Sequence, residues 1–332
     1  MRSPLQTLSR PRLRASLMED WGLDGVDCEY LPVGGGSYHW LVRDPAGKRC
    51  FVTVDDLDQK PFLGKTRDSA FDGLRHALDT ARALRREAEL EFVVAPLTTL
   101  SGETVQRIGA QHAAAVYPFV SGRPGRFGEV LPPAERTALV RMLVRLHQAT
   151  APAAPHVRPA SASLPGRDDL QVALRDLEHE WSGGPFSEPA RALLSRSATG
   201  VHRLLERFDR LAAAVEPAAG EAVPTHGEPH PANLIRAGEQ LLLIDWDTVG
   251  LARPERDLWM VDTGTGDELA LYSRESGRSL DAAALAFYRM RWGLDDMSIA
   301  LRTFRSPHRR TEDTERAWLG LVKYLESEAI RT

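Results

Sequence analysis

The chain of 332 residues is long enough for two domains of ordinary size, each with a buried core. Its net charge of −4 gives no reason to expect a nucleic-acid or membrane-surface partner, and no apolar run approaches the roughly 20 residues of a membrane span. Two cysteines cannot build a disulfide framework, and the basic N-terminus is not followed by the apolar stretch of a secretory signal, so we expect a cytoplasmic protein.

The N-terminal part of the chain has the pattern of a small sheet. After a helix expected over residues 11–22, two β-rich runs, YHWLVR (38–43) and RCFVTV (49–54), are joined by the turn-forming residues DPAGK. A glycine turn of Gly34, Gly35, Gly36 and Ser37 precedes the first run. The pattern predicts strand, glycine turn, strand, turn and strand.

A helix and two further strands are expected next. Apolar residues share one face of a helix predicted over residues 72–89. The runs FVVAPLTTL (92–100) and AAAVYPFV (113–120), separated by a turn at SGET, are expected to complete a five-stranded sheet. Residues 116–123 end in a Ser-Gly turn, as a linker between lobes would.

The remaining chain is mainly helical by its pattern. Helices are predicted over residues 132–150, 188–216, 284–304 and 314–329, and Gly200 is expected to weaken or break the second of these. The Pro- and Ala-rich residues 151–166 are expected to form a loop.

The segment 225–259 carries the polar residues that point to a chemistry. Glu228 is followed five residues later by Asn233, and after a polar hairpin turn the apolar run LLLI (241–244) predicts a short buried strand that ends at Asp245. The turn folds the chain back, so the three side chains can converge. One carboxylate to orient a hydroxyl, with an amide and a carboxylate to hold Mg²⁺, is the equipment that phosphoryl transfer needs.

This segment resembles the catalytic core of the aminoglycoside phosphotransferases and their protein-kinase-like relatives. Their pattern is H-G-D, then N five residues on, then I-D followed by W or F, and a later D-L. The matching residues here are His226, Gly227, Glu228, Asn233, Ile244, Asp245, Trp246, Asp257 and Leu258. Glu228 departs from the usual aspartate, and its extra methylene requires the loop to be set back slightly. The chain length and this glutamate resemble the spectinomycin-kinase-like branch of the family.

The resemblance implies an α+β, bilobal protein-kinase-like fold. Residues 1–115 would form an N-lobe with a small antiparallel nucleotide-binding sheet and one helix, and residues 116–123 a hinge. Residues 124–332 would form a larger, mainly helical C-lobe with the catalytic loop and the acceptor-binding helices. It also implies a small-molecule kinase that takes its phosphoryl group from ATP or GTP with the help of Mg²⁺; the sequence does not distinguish the two nucleotides.

Roles for the motif residues follow from the resemblance. Glu228 would accept a hydrogen bond from the acceptor hydroxyl, and Asn233 and Asp245 would hold Mg²⁺. His226 would brace the catalytic loop by hydrogen bonding instead of transferring a proton. Asp257 would cap the helix that it begins and hold the loop through backbone N–H groups.

The glycine turn and the hinge are candidates for nucleotide contacts. Backbone N–H groups of Gly34–Ser37 can cradle phosphate oxygens, although the same residues also suit a plain turn, and no Walker A lysine follows them. In the hinge, Pro118 still presents a carbonyl oxygen to a purine amino group, and Val120 keeps the N–H that a purine ring nitrogen needs.

One departure from kinase-like sequences concerns the third strand. Thr53 stands where such folds carry a lysine that pairs with phosphates and with a helix glutamate, here Glu87 or Glu89. A cation from elsewhere must offset the phosphate charge, and Lys60, Lys65 and Arg49 are the candidates. Lys65 is slightly preferred because Gly64 would let the chain fold back over the nucleotide.

The acceptor is less legible in the sequence. Acidic residues after the motif suit a cationic aminocyclitol such as spectinomycin, or a solvated surface, and aromatic residues suit a capuramycin-type nucleoside antibiotic. Among them, Asp262, Asp267, Trp259 and Trp292 are the candidate contacts. Choline, homoserine or a sugar are further options for an enzyme that acts as a monomer or dimer. An active enzyme of this kind would confer antibiotic resistance or self-protection. The competing interpretation is a catalytically degenerate pseudokinase that binds nucleotide as a sensing or interaction module.

Overall fold

The chain has an α+β structure in a computed structural model that describes residues 1, 4–215, 221–327 and 330. The expected fold class is therefore confirmed. The chain divides into two compact units, Met1–Ala160 with Pro217–Leu280 and Ser161–Glu216 with Asp281–Thr332. Within the described ranges, no helix is both long and apolar enough to cross a membrane. The lobe boundaries at residues 116–123 stay a prediction.

The helices are numbered in chain order and include every helix expected from the sequence. They are α1 (Arg10–Trp21), α2 (Arg67–Arg86), α3 (Pro133–Gln148), α4 (Thr150–Ala153), α5 (Arg167–Arg175), α6 (Ser187–Val215), α7 (Glu255–Val261), α8 (Asp267–Ser276), α9 (Ala282–Arg305) and α10 (Glu312–Leu325). The ends expected at residue 216 and at residues 328–329 lie outside the described residues.

Helix α2 begins five residues earlier than its apolar pattern indicates. Thr66 caps it, because the Thr66 hydroxyl accepts from the Ser69 backbone N–H at 3.2 Å and the Ser69 hydroxyl accepts from the Thr66 backbone N–H at 2.9 Å. This reciprocal cap satisfies N–H groups that would otherwise lack partners in the first turn. The helix therefore starts in a polar segment that carries no helical periodicity.

The first unit contains the expected five-stranded antiparallel sheet. Its strands are β1 (Asp27–Leu31), β2 (Tyr38–Arg43), β3 (Arg49–Asp56), β4 (Gln106–Ile108) and β5 (His112–Pro118), in the order β1-β2-β3-β5-β4. The glycine turn joins β1 to β2, as expected. It therefore lies at one end of the sheet, next to the end of β3.

The strand expected over residues 92–100 was wrong. This run forms only isolated bridges, between Val93 and Leu243 and between Leu97 and Val116, and the edge strand is β4. Pro96 cannot donate a ladder hydrogen bond. The N–H of Val94 donates to the Leu243 carbonyl at 3.1 Å, outside the five-stranded sheet. The run therefore connects the sheet to a second group of strands instead of joining it.

Helices cover both faces of the sheet and fix which side chains face which way. Leu13 and Leu17 of α1 pack against one face with Val52 and Val54, whereas α2 and Ala115 pack with the opposite face. Because side chains alternate along a strand, residues 53 and 55 of β3 share the face opposite to Val52 and Val54.

Two smaller groups of strands carry the segment with the motif residues. A two-stranded sheet pairs β7 (Val223–Thr225) with β10 (Gly250–Ala252), and a three-stranded sheet pairs β6 (Arg123–Pro124), β8 (Leu234–Ala237) and β9 (Gln240–Leu243). The expected hairpin is therefore present, and Asp245 follows β9 after one residue. The strand is less buried than expected, because Leu243 alone of its four residues is buried. Residues 226–233 form the loop between β7 and β8.

The second unit consists of helices α5, α6, α9 and α10 among its described residues. The expectation that Gly200 breaks α6 was wrong, since the helix is continuous from Ser187 to Val215. A Cβ atom at residue 200 would collide with the carbonyl oxygen of Ile330. Glycine is therefore used here for close packing against the C-terminal segment.

Candidate active site

The buried carboxylate of Asp257 holds the start of the loop between β7 and β8. Its two oxygens accept from the backbone N–H groups of His226, at 2.8 Å, and Gly227, at 2.6 Å. Nε2 of His147 lies 3.1 Å from the first of these oxygens. Burial opposes ionisation of Asp257, but the hydrogen bond from His147 and the charge of Arg256 hold its pKa below the ordinary value. The carboxylate thus presents two charged acceptors to the loop.

The same residue does not cap its own helix, so that part of the expectation was wrong. Helix α7 begins at Glu255, with Pro254 at the cap position and no side-chain cap hydrogen bond. Asp257 is the third residue of α7, and its side chain turns back to the loop.

Gly227 is required by the geometry of this loop. Its φ of 97° lies in the left-handed region, and a Cβ atom would collide with the guanidinium of Arg256. That guanidinium donates to the Thr225 hydroxyl and to the Thr248 carbonyl oxygen, each at 2.7 Å. The absence of a side chain at residue 227 therefore allows Arg256 to tie both ends of the segment together.

His226 connects the loop to the residue before Asp245. Nδ1 accepts from the backbone N–H of Glu228 at 3.2 Å, so Nε2 carries the proton and donates to the Ile244 carbonyl oxygen at 2.9 Å. The side chain is fully buried, and burial lowers its pKa to about 4. The ring also meets Trp246 edge-on, with centroids 4.7 Å apart. At neutral pH this histidine is therefore uncharged, and it links the loop to residue 244 by hydrogen bonds.

Two further hydrogen bonds bring Glu228, Asn233 and Asp245 into one arrangement. The side-chain nitrogen of Asn233 donates to the Glu228 carbonyl oxygen at 2.9 Å, and the Asn233 carbonyl oxygen accepts from the Ile244 N–H at 2.9 Å. Since the amide nitrogen is used as a donor, the side-chain oxygen of Asn233 is the atom left to act as a ligand. The side chain of Glu228 is partly exposed, and its Oε2 lies 3.9 Å from Nε2 of His230.

Asp245 has an unusual backbone and an unusual charge environment. Its φ of 67° is in the left-handed region, which costs free energy in a residue other than glycine. The side chain is reached by solvent, yet the dense surroundings and the carboxylate of Asp247 raise its pKa above the ordinary value, against the effect of Lys60. A strained and charge-crowded aspartate is typical of a functional site.

The residues present fit a magnesium ion. The carboxylates of Asp55 and Asp247 contact the ammonium group of Lys60, and Asp245 interacts with it electrostatically. A divalent cation would offset the negative charge that remains beside Lys60 and the N-terminal ammonium group. Across the described residues, there is no cluster of three or more acidic, histidine or cysteine side chains suited to a metal. An ion held by only Asn233 and Asp245 matches Mg²⁺, which keeps several positions for water and phosphate.

Lys60 lies at the centre of these carboxylates. Its Nζ is 2.6 Å from Oδ2 of Asp247 and 2.9 Å from Oδ1 of Asp55, and it donates to the Ser37 hydroxyl at 3.0 Å. Burial alone would lower the pKa of Lys60, but Asp247, Asp55 and Asp245 together raise it well above the ordinary value. The ammonium group is therefore charged at neutral pH.

This position corrects the preference for Lys65. Lys65 is exposed, whereas Lys60 is buried beside the carboxylates. The one-turn 3₁₀ helix Leu57–Gln59 directly after β3 brings Lys60 back to Asp55 on the strand. Glu87 and Glu89 are exposed near the end of α2, so neither takes part.

The glycine turn reaches the same cluster. Gly34 and Gly36 have φ values of 67° and 81°, and a Cβ atom on Gly36 would lie 3.9 Å from Nζ of Lys60. The buried hydroxyl of Ser37 donates to Oδ1 of Asp55 at 2.6 Å. The turn that is predicted to cover phosphates is thus hydrogen-bonded, through Ser37, to both Lys60 and Asp55.

The expected hinge contacts remain predictions. Pro118 is the exposed last residue of β5 and is paired with Cys50 across the sheet, and Val120 is partly exposed. Tyr117, which sequence analysis assigned no role, belongs to the charged cluster. Burial and the charges of Asp55, Asp245 and Asp247 raise its pKa well above the ordinary value. The sequence offered one sign of this location: Tyr117 follows the apolar Val116 on β5, so its side chain must point to the opposite face of the sheet.

The four candidate acceptor contacts are divided between the two units. In the first, Trp259 lies on α7, the Asp262 carboxylate accepts from the Gly264 N–H at 3.0 Å, and the Asp267 carboxylate accepts from Thr265 at 3.0 Å. These two carboxylates therefore order the turn before α8.

In the second unit, Trp292 lies on α9, where its side chain is hydrogen-bonded to Asp296. Oδ2 of Asp296 also accepts from the Tyr324 hydroxyl at 3.0 Å. The contribution of all four candidates to acceptor binding stays a prediction.

Comparisons with known proteins show what the chain is similar to. The model of the phosphotransferase enzyme family (APH) matches residues 30–299. Protein StrN of Streptomyces griseus is 27% identical over 255 residues, which cover 73% of this chain and 74% of the relative.

Three solved structures show the same kinase-like fold. Spectinomycin phosphotransferase APH(9)-Ia in complex with ADP and spectinomycin has a TM-score of 0.74 and 18% sequence identity, and the match covers 98% of this chain and 96% of the other. For an amicoumacin kinase in complex with AMP-PNP, Ca²⁺ and Ami, the TM-score is 0.60 and the identity 14%, with 98% and 94% of the two chains covered. For a microcompartment-associated aminopropanol kinase, the TM-score is 0.59 and the identity 18%, with 96% and 95% covered.

Proposed function

The chain belongs to the phosphotransferase enzyme family and is a small-molecule kinase, and we propose that it transfers the γ-phosphoryl group of ATP or GTP to a hydroxyl group of a small hydroxylated antibiotic or metabolite. The observation that carries this proposal is the coupling of Glu228, Asn233 and Asp245. The hydrogen bonds of His226 and Asn233 to residue 244 hold the loop and the strand end together.

Glu228 is the residue that orients the acceptor. Its carboxylate accepts a hydrogen bond from the acceptor hydroxyl and aligns the oxygen with the γ-phosphorus. As the new O–P bond forms, the bond from this phosphorus to the β,γ-bridging oxygen breaks, nucleoside diphosphate leaves, and the hydroxyl proton passes to Glu228. The partial exposure of this side chain leaves it accessible to the acceptor.

The donor phosphates meet the other charged groups. Asn233 and Asp245 would hold Mg²⁺, which offsets negative charge on the β- and γ-phosphate oxygens when it is bound. Lys60 supplies the second cation, and the turn of Gly34–Ser37 covers the phosphates. The ADP and AMP-PNP named in two similar structures support a nucleotide donor. Pro118 and Val120 are proposed to contact the base.

The acceptor that we favour is an aminocyclitol such as spectinomycin. The spectinomycin bound in one similar structure and the carboxylates of Asp262 and Asp267 support a cationic acceptor. Trp259 and Trp292 would suit a capuramycin-type nucleoside antibiotic instead. Either activity would confer resistance or self-protection. The buried position of Lys60 weakens the case for a pseudokinase, because it supplies a cation in place of the lysine missing at Thr53.

A panel of acceptors tests this function directly. The purified protein is incubated with MgATP or MgGTP and with spectinomycin, a capuramycin-type nucleoside, choline, homoserine or a sugar, and each mixture is analysed by mass spectrometry. We expect one acceptor to gain the mass of one phosphoryl group, and no gain with Glu228→Gln as the matched control. Nucleotide binding without transfer to any acceptor, and without slow hydrolysis to water, would instead support the pseudokinase.

A further inference from the structure

We propose that Asp55, together with Ser37, positions Lys60 for the nucleotide phosphates, and that a phosphate oxygen replaces Asp247 on Lys60 when nucleotide binds. In kinase-like folds a glutamate of the N-lobe helix positions the lysine of the third strand. Here both members of the pair would come from β3 and the turn that follows it. This inference deepens the proposed function and rests on it.

Helix α2 offers no carboxylate for this purpose. Each acidic side chain within it has another partner: Asp68 accepts from Arg107, Asp72 from Arg75 and Asp79 from Thr104. The glutamates near its C-terminal end are exposed. The partner of Lys60 must therefore come from elsewhere.

Asp55 has the right place in the strand. It lies two residues after Thr53 and so shares its face of β3, where the usual lysine would project. Its side chain is 6% exposed and that of Lys60 is 4% exposed, so the pair is desolvated and its geometry is fixed. Ser37 connects the same carboxylate oxygen to the glycine turn. Strand, turn and lysine thus form one unit.

The hydrogen-bonding capacity of Lys60 leads to the exchange. An ammonium group has three N–H donors; here it donates hydrogen bonds to Ser37 and Asp247 and forms an ion pair with Asp55 at 2.9 Å. Three oxygen atoms already lie within 3.0 Å of Nζ, so a phosphate oxygen would compete with one of these partners. The side chain of Asp247 is 14% exposed and that of Asp55 is 6% exposed, so Asp247 is the more accessible of the two carboxylates. Asp247 belongs to the segment that follows β9. Its departure would leave Ser37 and Asp55 in place.

Replacing Asp55 and replacing Asp247 should therefore have opposite effects on nucleotide binding. By charge alone, removing either one would strengthen the binding of an anionic nucleotide. If Asp55 positions Lys60, however, Asp55→Asn weakens nucleotide binding despite the loss of a negative charge. Asp247→Asn removes the competitor of the phosphate and strengthens binding when no metal is present.

The test is calorimetric titration with ADP, in excess EDTA and in Mg²⁺, and it requires no acceptor and no turnover. In EDTA we expect Asp55→Asn and Lys60→Met each to weaken ADP binding about tenfold, and Asp247→Asn to leave it equal or tighter. Lys65→Met, an exposed lysine from the same segment, is the matched control and should bind ADP as the unaltered protein does. Tighter or unchanged binding by Asp55→Asn would overturn the proposal.

A double variant keeps the test open if Asp55→Asn fails to fold. Asp55→Asn combined with Lys60→Met removes both members of the buried pair, and if Asp55 acts through Lys60 it should bind ADP within about twofold of Lys60→Met alone. A further loss of about tenfold in the double variant would show that Asp55 acts independently of Lys60 and would overturn the proposal. Because ADP binding is measured without an acceptor, a failure to find any phosphorylated acceptor would leave these outcomes unaffected.

Discussion

Nε2 of His226 donates a hydrogen bond of 2.9 Å to the carbonyl oxygen of Ile244, which joins the loop that carries Glu228 to the strand end that precedes Asp245. The same histidine receives the backbone N–H of Glu228 on its other nitrogen. The uncharged ring of His226 thus connects the segments that carry the carboxylates of Glu228 and Asp245. Their relative position depends on a side chain that need not touch either substrate.

The buried state of His226 has a consequence for stability against acid. Its pKa is about 4 in the folded protein and close to 6.5 in an unfolded chain. As pH falls from about 6.5 towards 4, the unfolded state binds a proton that the folded state does not, so stability is lost over this window. We expect this one group to account for about 2 kcal/mol of lost stability by pH 5, measured by urea unfolding at pH 7 and pH 5.

His226→Gln provides the comparison for this pH dependence. Glutamine keeps an N–H group for the Ile244 carbonyl but does not titrate in this range. The variant should be less stable than the unaltered protein at pH 7 and should lose less additional stability between pH 7 and pH 5. An equal pH dependence in both proteins would mean that His226 is protonated in the folded state.

Asp257 is expected to affect both stability and turnover. Asp257→Asn places an NH₂ group where one of two oxygens now accepts a backbone N–H, and it removes the charge that faces His147. We expect a loss of about 3 kcal/mol in the free energy of unfolding and a lower kcat. Chemical denaturation measures the first quantity, and Asp168→Asn, at an exposed position of α5, is a suitable control. Unchanged stability would contradict the assignment of Asp257 as the anchor of the loop.

The proposed metal ligands differ in charge and should differ in effect. Asp245→Asn removes the only charged ligand of the pair, whereas Asn233→Ala removes a neutral one. We therefore expect Mg²⁺ to strengthen ADP binding to the unaltered protein, less so to Asn233→Ala, and not at all to Asp245→Asn. Titrations with and without Mg²⁺ give this difference directly. A metal effect that survives Asp245→Asn would place the ion on other residues.

The parts of the fold that depend on local pattern could be predicted from the sequence. Alternation in residues 38–43 and 49–54 identified β2 and β3, and the apolar run before Asp245 identified β9. The joint spacing of Glu228, Asn233 and Asp245 predicted that these segments converge, and the structure joins them through one side-chain and one main-chain hydrogen bond between close elements. Their roles in catalysis stay a prediction.

The parts of the fold and of the site that depend on contacts between distant residues could not be predicted from the sequence. The edge strand was placed at residues 92–100 because that run is apolar, although its backbone bonds to β9. The sequence favoured Lys65 because a glycine precedes it, whereas the structure shows Lys60 paired with Asp247, 187 residues away in the chain. No local pattern records such a pairing. The signal that was available is the position of Asp55, two residues after Thr53 on the same face of β3.

The most direct test of the account is Glu228→Gln, assayed with the acceptor identified in the panel. Glutamine keeps the size of the side chain and removes the charge that attracts the hydroxyl proton, while the nucleotide contacts are left intact. We expect kcat to fall by about two decades or more and the Kd for ADP in Mg²⁺ to stay unchanged. A near-normal kcat in this variant would show that another group orients the acceptor hydroxyl, and would contradict the central claim.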